Sequence, residues 1–316
     1  MTDRSSEQPE IVVIVGPTAA GKTALAVALA ERCDGEIVNA DSRQIYRGMD
    51  IGTAKPPPEL RAHIPHHLID IRDPDEPFGL HDFLLLADAA IRDIARRGRL
   101  PLVVGGTGQY IRALVEGWHA PPVPPDPALR AELAARAARE GGAALYAELV
   151  ALDPVAAQTI DPRNVRRVIR ALEVIRATGR PFSTQRSKGK LPYRALLIGL
   201  RVSRETLYRR IDRRVEEMFA SGLVEEVRRL VAAGYGCDLP AMRSIGYAEV
   251  CGYLRGELTL AEAVATTKTA THRLARMQAN WFRLTDPRIH WLDAEATLPV
   301  EPAVELVHRF RSGELS

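Results

Sequence analysis

At residues 16–23 the chain reads Gly16-Pro17-Thr18-Ala19-Ala20-Gly21-Lys22-Thr23, directly after an apolar run from Glu10 to Val15. A strand, a glycine-rich loop and a following helix together form the setting of a phosphate-binding P-loop. The glycines let backbone N–H groups turn toward phosphate oxygens, and the helix N-terminus adds positive potential. Lys22 supplies a cation, and Thr23 offers a hydroxyl to a divalent metal, expected to be Mg²⁺. The stretch therefore predicts a site for a phosphorylated small molecule.

Strand and helix patterns alternate on the carboxyl-terminal side of this loop. A helix over about 22–32 and a strand over 36–39 lead into Asp41-Ser42-Arg43-Gln44, and a later strand over 102–104 ends in Gly105-Gly106-Thr107-Gly108. The alternation is typical of an α/β fold with a P-loop NTPase-like parallel sheet flanked by helices. Because the ligands of such sheets lie beyond the carboxyl ends of the strands, we expect Asp41 near the P-loop.

A change in composition after Gly117 predicts an inserted domain. The run Pro121-Pro122-Val123-Pro124-Pro125 precedes an Ala- and Arg-rich stretch with helical patterns only, and a strand pattern resumes at 196–200. We therefore divide the chain into a P-loop-like catalytic core with C-terminal helices, residues 1–117 and 195–316, and an inserted all-helical domain, residues 118–194. Further elements of the core are predicted as helices over about 204–221, 243–254 and 260–283 and a final strand over 289–292.

One helix of the insertion has clear predicted boundaries, with Asp161 as N-cap, Pro162 as first helical residue and Gly179 as terminator. Its basic residues recur at steps of three and four positions beside an apolar stripe, and they are Arg163, Arg166, Arg167 and Arg170. Residues 163–194 contain ten basic side chains and one acidic side chain, although the net charge of the whole chain is only +3. Such an excess favours a polyanion such as nucleic acid as partner, with a solvated basic surface as the alternative.

Composition is typical of a soluble globular protein. The chain has 316 residues, 46% of them hydrophobic, and contains no uninterrupted apolar run of about 18 residues. Its first ten residues are polar and charged, unlike a secretory leader, so we expect a cytoplasmic protein without membrane attachment and, by default, a monomer. Cys33, Cys237 and Cys251 lack CxxC spacing and are expected to be reduced packing residues.

The strand end at 105–108 carries no acidic residue. P-loop NTPases and kinases commonly hold magnesium with a carboxylate at a neighbouring strand end. Asp41 is a candidate for that task, but the same phosphate cradle also suits a reaction in which a bound diphosphate departs instead of transferring a phosphoryl group. At this point the residues leave both interpretations open.

Four motifs, in order and spread over nearly the full length, resemble the bacterial tRNA dimethylallyltransferase family, also called the tRNA isopentenyltransferase or IPP transferase family. They are GPTAAGKT at 16–23, DSRQIYRGMDIGTAKP at 41–56, GGTG at 105–108 and RSIGY at 243–247. The resemblance implies transfer of a dimethylallyl group from dimethylallyl diphosphate to N6 of the tRNA adenosine at position 37, beside the anticodon, with release of diphosphate. It also implies the tRNA anticodon stem-loop as partner.

This chemistry gives roles to several residues. The adenine amino group is a poor nucleophile, so a carboxylate that accepts its proton assists the attack, and Asp41 is the candidate base. Magnesium coordination and a structural cap are alternative roles for Asp41. The departing diphosphate gains negative charge, and the loop N–H groups, Lys22 and Thr23 are the donors expected to stabilise it.

Three further roles come from the resemblance alone. It assigns a diphosphate contact to Arg214, with Arg210, one turn earlier on the same predicted helix, as the alternative. It places Thr18 beside the diphosphate and Thr107 near the adenosine. A surface salt-bridge residue is the alternative for either arginine.

An adenosine stacked in an anticodon loop must leave the stack to reach Asp41, so the protein needs a surface that holds the loop. The resemblance assigns tRNA contacts to Asp41-Ser42-Arg43-Gln44, Thr107, Arg166-Arg167-Val168-Ile169-Arg170 and Arg243-Ser244-Ile245-Gly246-Tyr247, with ordinary helix packing as the alternative for the last set. Where many relatives carry T-R-x-x-A-K-R-Q, this chain has Thr271-His272-Arg273-Leu274-Ala275-Arg276-Met277-Gln278. Basic character, and with it a predicted tRNA contact, persists at Arg273 and Arg276.

Three other functions compete with this interpretation. A small-molecule kinase would use ATP and Asp41 but leaves the basic insertion unexplained. A prenyltransferase acting on free adenine nucleotides shares the core motifs but has little use for the basic surface at 163–194. A non-catalytic RNA-binding protein leaves the P-loop and Asp41 unexplained.

Overall fold

The computed structural model describes residues 8–185 and 187–315 of the chain. They form two compact units. The first comprises the described parts of Met1–Phe78, Phe83–Val115 and Pro192–Ser316, and the second comprises Gly79–Asp82 and the described part of Glu116–Leu191. The second unit overlaps most of the predicted insertion, residues 118–194. Residues 1–7, which form most of the polar N-terminal stretch, lie outside the described part.

A parallel sheet of six strands forms the centre of the first unit. In chain order the strands are β1 (Glu10–Val15), β2 (Gly35–Asn39), β3 (His66–His67), β4 (Leu100–Val104), β5 (Trp118–His119), β6 (Ser187–Lys188), β7 (Arg194–Arg201) and β8 (Ile289–Asp293). All except β5 and β6 belong to this sheet, in the spatial order β3-β2-β4-β1-β7-β8. Strands β2 and β4 are buried along their whole length, which is typical of parallel sheets covered on both faces.

Helices follow most of the strands. In chain order they are α1 (Lys22–Cys33), α2 (Pro58–His63), α3 (Leu80–Arg96), α4 (Gly108–Val115), α5 (Pro127–Glu140), α6 (Gly142–Leu152), α7 (Pro154–Thr159), α8 (Val165–Thr178), α9 (Arg204–Ala220), α10 (Leu223–Ala232), α11 (Tyr247–Leu254), α12 (Leu260–Trp281) and α13 (Val300–Arg311). Leu25 of α1 and Phe310 of α13 lie in one buried cluster with Ile14 and Leu102 of the sheet. Within the described residues, none of these helices is long and apolar enough to cross a membrane.

The register of the inner strands brings three loops to one edge of the sheet. Val104 of β4 pairs with Ile14 of β1 on one side and with Asn39 of β2 on the other. The three strands therefore end at the same level. The P-loop, the turn that contains Asp41 and the glycine turn at 105–108 consequently leave the sheet together, as the sequence predicts.

Helix α8 begins later than predicted. Asn164, not Asp161, is its N-cap, and the Asn164 side chain accepts a hydrogen bond from the backbone N–H of Arg167. The Asp161 carboxylate instead accepts from the backbone N–H of Arg163, which closes a turn before the helix. An Asp-Pro pair marks the start of either a turn or a helix, so the sequence signal was correct in kind and misplaced by three residues. The predicted terminator Gly179 is confirmed, with φ +66° at the C-cap.

Helix α11 also begins later than predicted, at Tyr247 instead of 243. Residues before it form turns, in which the N–H of Ser244 donates to the carbonyl of Ala241 over 3.0 Å. Gly246, at φ +90°, is the N-cap, a backbone conformation that other residues rarely adopt. The RSIGY motif therefore forms a turn and a helix start.

The second unit is a small helical body with its own core. Helices α5 to α8 surround a buried cluster that includes Leu133, Leu149, Val168 and Leu172. The unit differs from the all-helical expectation by one short antiparallel pair, in which Trp118 and His119 of β5 lie opposite Lys188 and Ser187 of β6.

The state of the cysteines differs from the prediction. Cys237 and Cys251 form a disulfide, so the prediction that all three cysteines are reduced is wrong for this pair, while Cys33 is free and buried. Fourteen residues separate the two, but the turns before α11 return the chain so that their Cα atoms lie 5.9 Å apart. That separation is within the usual range for a disulfide. Because turns bring Cys237 and Cys251 together, no spacing motif in the sequence predicts this disulfide.

Candidate active site

The P-loop turns through backbone conformations that favour glycine. Gly16 has φ +143° and Gly21 has φ +98°, and a Cβ on Gly16 would lie 3.0 Å from the carbonyl oxygen of Leu200. Gly21 is the N-cap of α1, so the first N–H groups of that helix point into the loop. The Lys22 ammonium donates to the carbonyl of Pro17 over 2.8 Å, which holds the lysine across the loop. This is an anion cradle with a fixed cation.

The charges of Lys22, Asp41 and Arg214, three predicted site residues, affect one another. Burial lowers the pKa of Lys22 to about 8, while the nearby Asp41 carboxylate raises it and the Arg214 guanidinium lowers it further. Burial likewise lowers the pKa of Arg214, and Asp41 again acts in the opposite direction. Lys22, Asp41 and Arg214 therefore share one partly buried site, although they come from three distant parts of the sequence.

The Asp41 turn is held by Asn39, a residue that belongs to none of the four sequence motifs. The Asn39 side-chain oxygen accepts from the N–H of Asp41 over 3.1 Å, and its amide nitrogen donates to the carbonyls of Asp41 and Leu68. Asp41 Oδ1 accepts from the N–H of Arg43 over 2.9 Å. Among the described residues, Oδ2 of Asp41 accepts no hydrogen bond, so one oxygen of this carboxylate is free to accept a proton or a metal.

The glycine turn packs directly against this aspartate turn. A Cβ on Gly105 would lie 2.2 Å from the carbonyl carbon and oxygen of Ala40, so only glycine permits the approach. The N–H of Ser42 donates to the Thr107 hydroxyl over 3.0 Å, and the N–H of Thr107 donates to the carbonyl of Ala40. Thr107 is thus anchored to the turn that carries Asp41.

Of the two candidate arginines, the structure brings Arg214 to the site. Arg214 lies on α9, partly buried, and interacts with Asp41 as described above. Arg210 is turned elsewhere, because its guanidinium donates to the carbonyls of Ala294 over 3.0 Å and Glu295 over 2.7 Å. Arg210 therefore secures the segment after β8, and Arg214 is the cation available to the cradle.

A glutamine of α12 joins the two glycine-containing loops. Gln278 is 6% exposed, accepts from the N–H of Thr18 over 2.7 Å and donates to the carbonyl of Gly106 over 3.1 Å. In the sequence, Gln278 stands out only as the last residue of a basic segment. Its two partners lie 260 and 172 residues away in the sequence, so no local sequence pattern could predict these hydrogen bonds.

The RSIGY motif is mostly interior. Tyr247 is fully buried, and its hydroxyl donates to Glu226 Oε1 over 2.6 Å. The same buried carboxylate accepts from the N–H groups of Asp50, Ile51 and Gly52. Tyr247 and Glu226 thus fix the second half of the 41–56 motif, which is a packing role. Ser244 and Gly246 are also buried, while Ile245 is partly buried and Arg243 is exposed.

The other residues predicted to contact tRNA fall into two groups. Arg166 and Arg167 are exposed, and within the described part of the chain neither forms an ion pair; Val168 and Ile169 are buried in the core of the second unit. Arg170 is already bonded, since it donates to the Glu173 carboxylate over 2.5 Å and to the carbonyl of Val123 over 2.8 Å. In the first unit, the predicted contacts Arg43, Arg273 and Arg276 are exposed.

Two protein-family models match the chain. The chain matches the family model described as IPP transferase over residues 44–285 and the model described as Isopentenyl transferase over residues 9–66. The chain belongs to the IPP transferase family. The two matches together include the P-loop, the Asp41 turn, the glycine turn, Arg214 and Gln278.

Named relatives and solved structures of this family are similar over almost the whole chain. A tRNA dimethylallyltransferase of Roseiflexus sp. (strain RS-1) is 54% identical over 300 residues, which cover 95% of this chain and 98% of the relative. The crystal structure of the full-length tRNA isopentenylpyrophosphate transferase from Bacillus halodurans is 42% identical, with a TM-score of 0.70 and coverage of 98% of this chain and 97% of that one. A structure of a eukaryotic dimethylallyltransferase acting on tRNA is 29% identical, with a TM-score of 0.82 and coverage of 96% and 80%.

Proposed function

We propose that this IPP transferase family member transfers a dimethylallyl group from dimethylallyl diphosphate to N6 of adenosine 37 in tRNA and releases diphosphate. The observation that carries the proposal is the placement of the Asp41 carboxylate beside Lys22 and Arg214 at the P-loop. A base for the acceptor and two cations for the leaving group thus lie in one site. A monomeric, cytoplasmic enzyme is part of the proposal.

The proposed role of the P-loop is to stabilise the departing diphosphate. As the allylic C–O bond breaks, its electron pair moves to the diphosphate, whose negative charge increases. P-loop N–H groups, Lys22 and Arg214 stabilise this charge more strongly in the transition state than in the ground state, and Lys22 is already held across the loop by its bond to Pro17. Thr18 carries its side chain on the same loop, beside the position proposed for the diphosphate.

The acceptor needs a base. The N6 amino group of adenine attacks the allylic carbon, forms a C–N bond and loses one proton, which the carboxylate of Asp41 accepts. Asp41 Oδ1 is occupied by the N–H of Arg43, so Oδ2 is the oxygen proposed to take the proton. Thr107, anchored to the same turn, is proposed to orient the extruded adenosine.

Magnesium fits the donor set as an ion that arrives with the diphosphate. Within the described residues, no group of three or more His, Cys, Asp or Glu side chains could hold a metal ion. Mg²⁺ usually keeps several waters and takes one or two protein oxygens together with substrate phosphates. The Thr23 hydroxyl, exposed at the first turn of α1 beside the cradle, is the protein oxygen proposed to hold it, and the ion would neutralise diphosphate charge.

Transfer can be tested on a short RNA. A synthetic anticodon stem-loop with adenosine at position 37 is incubated with the enzyme, Mg²⁺ and either dimethylallyl diphosphate or ATP, and its nucleosides are analysed by mass spectrometry. We expect a dimethylallyl mass gain on that adenosine with the prenyl donor only. A stem-loop with guanosine at the same position is the matched control and should stay unmodified. Phosphorylation with ATP would favour the kinase alternative, and modification of free AMP in preference to the stem-loop would favour the nucleotide prenyltransferase.

The exposed arginines of α8 allow a test of tRNA docking. Arg166→Ala/Arg167→Ala should weaken tRNA binding and reduce the slope of log affinity against log salt by about one for each tRNA phosphate that an arginine no longer neutralises. Affinity for dimethylallyl diphosphate should not change. Arg170 is left intact, because its bonds to Glu173 and Val123 make it part of the fold of the second unit. An Arg96→Ala/Arg309→Ala variant, which removes two exposed arginines of the first unit, is the control; an equal loss there would contradict specific docking through α8.

Lys22 predicts a pH dependence of donor use. Its lowered pKa, about 8, means that the free enzyme loses this cation as the pH rises above 8. We expect kcat/KM for dimethylallyl diphosphate to fall above pH 8 by up to about tenfold per pH unit, since this ratio reports ionisations of the free enzyme. Lys22→Arg keeps its charge, so its kcat/KM should be lower overall but flat over this range. The same alkaline fall in Lys22→Arg would assign the ionisation to another group.

A further inference from the structure

Gln278 has no role in the reaction proposed above, although its side chain forms hydrogen bonds to two loops of the candidate site. Its side-chain amide is nearly fully buried between two loops of the candidate site, and each end of the amide has one partner. Oε1 accepts from the backbone N–H of Thr18 in the P-loop, and Nε2 donates to the backbone carbonyl of Gly106 in the glycine turn. No other side chain of the described part joins these two loops.

The contact depends on an amide and on a glycine. An amide offers an acceptor and a donor side by side at every pH, whereas a carboxyl group of the same length does so only when it is protonated. A Cβ at position 106 would lie 2.4 Å from Nε2 of Gln278, a distance that real Cβ atoms do not show, so glycine at 106 leaves room for the amide. Gly106 and Gln278 therefore act as a matched pair across the site.

The two loops hold opposite reactants in the proposed reaction. The P-loop takes the diphosphate of the donor, whereas the glycine turn carries Thr107 and packs against Asp41, which serve the acceptor. The Thr18 N–H donates to Gln278, and this bond holds the backbone of the P-loop at Thr18. The distance between donor carbon and acceptor nitrogen thus depends on how these two loops are spaced.

We propose that Gln278 is a positioning residue that sets the spacing between the diphosphate cradle and the adenosine-facing turn, and so acts on the rate of transfer more than on the binding of either substrate. The proposal rests on the function proposed above. Small displacements of reacting groups cost large factors in rate, about 10²-fold for a misplacement near 1 Å. Loss of the bridge should therefore lower kcat while each KM changes little.

The test compares Gln278→Glu with Gln278→Met. Ionised glutamate still accepts from Thr18 but repels the Gly106 carbonyl, whereas protonated glutamate can donate to that carbonyl and restores both bonds. Burial beside the Gly106 carbonyl, with the Asp41 carboxylate near the same turn, raises the pKa of a carboxyl group, which brings the change into an accessible pH range. We expect kcat of Gln278→Glu, divided by the wild-type value at each pH, to rise at least severalfold from pH 8 to pH 6. Gln278→Met, which bonds to neither loop, should stay low, about 10²-fold below wild type at both pH values.

Two controls separate this proposal from a loss of folding and from a failure of the proposed function. Gln158→Glu and Gln158→Met make the same changes at an exposed glutamine and should leave kcat at the wild-type value. Amide hydrogen exchange over residues 16–21 should be faster in Gln278→Met than in wild type, whichever reaction the enzyme performs. A flat Gln278→Glu ratio, a loss confined to KM, or unchanged exchange at 16–21 would each overturn the proposal. Accelerated exchange in a protein that transfers no dimethylallyl group would support the bridge and contradict the proposed function.

Discussion

Replacing Asp41 by asparagine should lower turnover by about 10²–10⁴-fold and leave tRNA affinity nearly unchanged, because the amide keeps the shape of the turn but cannot accept the N6 proton. The bonds that hold the turn come from Asn39, the backbone and one side-chain oxygen, and an asparagine can retain them. Single-turnover rates with bound tRNA measure the chemical step directly. Asp75→Asn, at an exposed position, is the matched control and should behave as wild type.

Magnesium dependence distinguishes the two roles considered for Asp41. If the carboxylate is the base, Asp41→Asn should need the same Mg²⁺ concentration for half-maximal rate as wild type, with a lower plateau. If it holds the metal instead, the variant should need much more Mg²⁺ and recover at high concentration. Such recovery, or an equal loss of tRNA binding and turnover, would contradict the assignment of Asp41 as base.

Arg214→Ala should lower kcat by about 10²–10³-fold, the usual effect of removing one fixed donor from a site where charge develops. The effect is expected to be this large because Arg214 is partly buried and its charge acts within the same site as Lys22 and Asp41. Steady-state and single-turnover measurements with dimethylallyl diphosphate at saturation report the loss.

The neighbouring residue provides a sharp control. Arg213 lies on the same helix, but its side chain is 75% exposed, and Glu217, at 3.5 Å, is its only ion-pair partner among residues 8–185 and 187–315. Exposed pairs of this kind contribute little, so Arg213→Ala should keep both kcat and stability close to wild type. Equal losses in the two variants would indicate damage to α9, and a loss confined to Arg210→Ala would shift the role to Arg210.

Local sequence patterns were sufficient for the part of the site that sits on strand ends. The P-loop follows a buried strand, and the positions of Asp41 and of the glycine turn follow from where β2 and β4 end. Parallel strands in register bring their carboxyl ends to one edge, so the sequence alone places three loops together. The choice of Arg214 over Arg210 came from the family resemblance, and the structure adds a reason in the bonds of Arg210 to two carbonyls.

Residues that act by long-range hydrogen bonds could not be predicted. Gln278, Glu226 and Asn39 each satisfy backbone groups of loops, and their partners are defined only once the chain has folded. The disulfide between Cys237 and Cys251 belongs to the same class, since turns and not spacing bring its ends together. A polar residue type alone does not show whether a side chain will be buried.

Charge was the least reliable guide to the role of a single residue. Arg166, Arg167 and Arg170 are equivalent in the sequence pattern, yet the first two are exposed and the third is bonded to Glu173 and Val123. Tyr247, in a motif assigned to tRNA contact, is buried against Glu226. Helical spacing predicts which residues share a side of a helix, but the acid that neutralises one of them can come from another turn.

We propose that the P-loop of this protein holds a diphosphate that leaves, and not a nucleotide that transfers a phosphoryl group. The most direct measurement supplies dimethylallyl diphosphate and ATP together with unmodified tRNA and quantifies released inorganic diphosphate, consumed ATP and dimethylallylated adenosine in the same reaction. We predict equal amounts of diphosphate and modified adenosine, with ATP unchanged. Consumption of ATP coupled to a phosphorylated product, or release of diphosphate without modified adenosine, would contradict the claim.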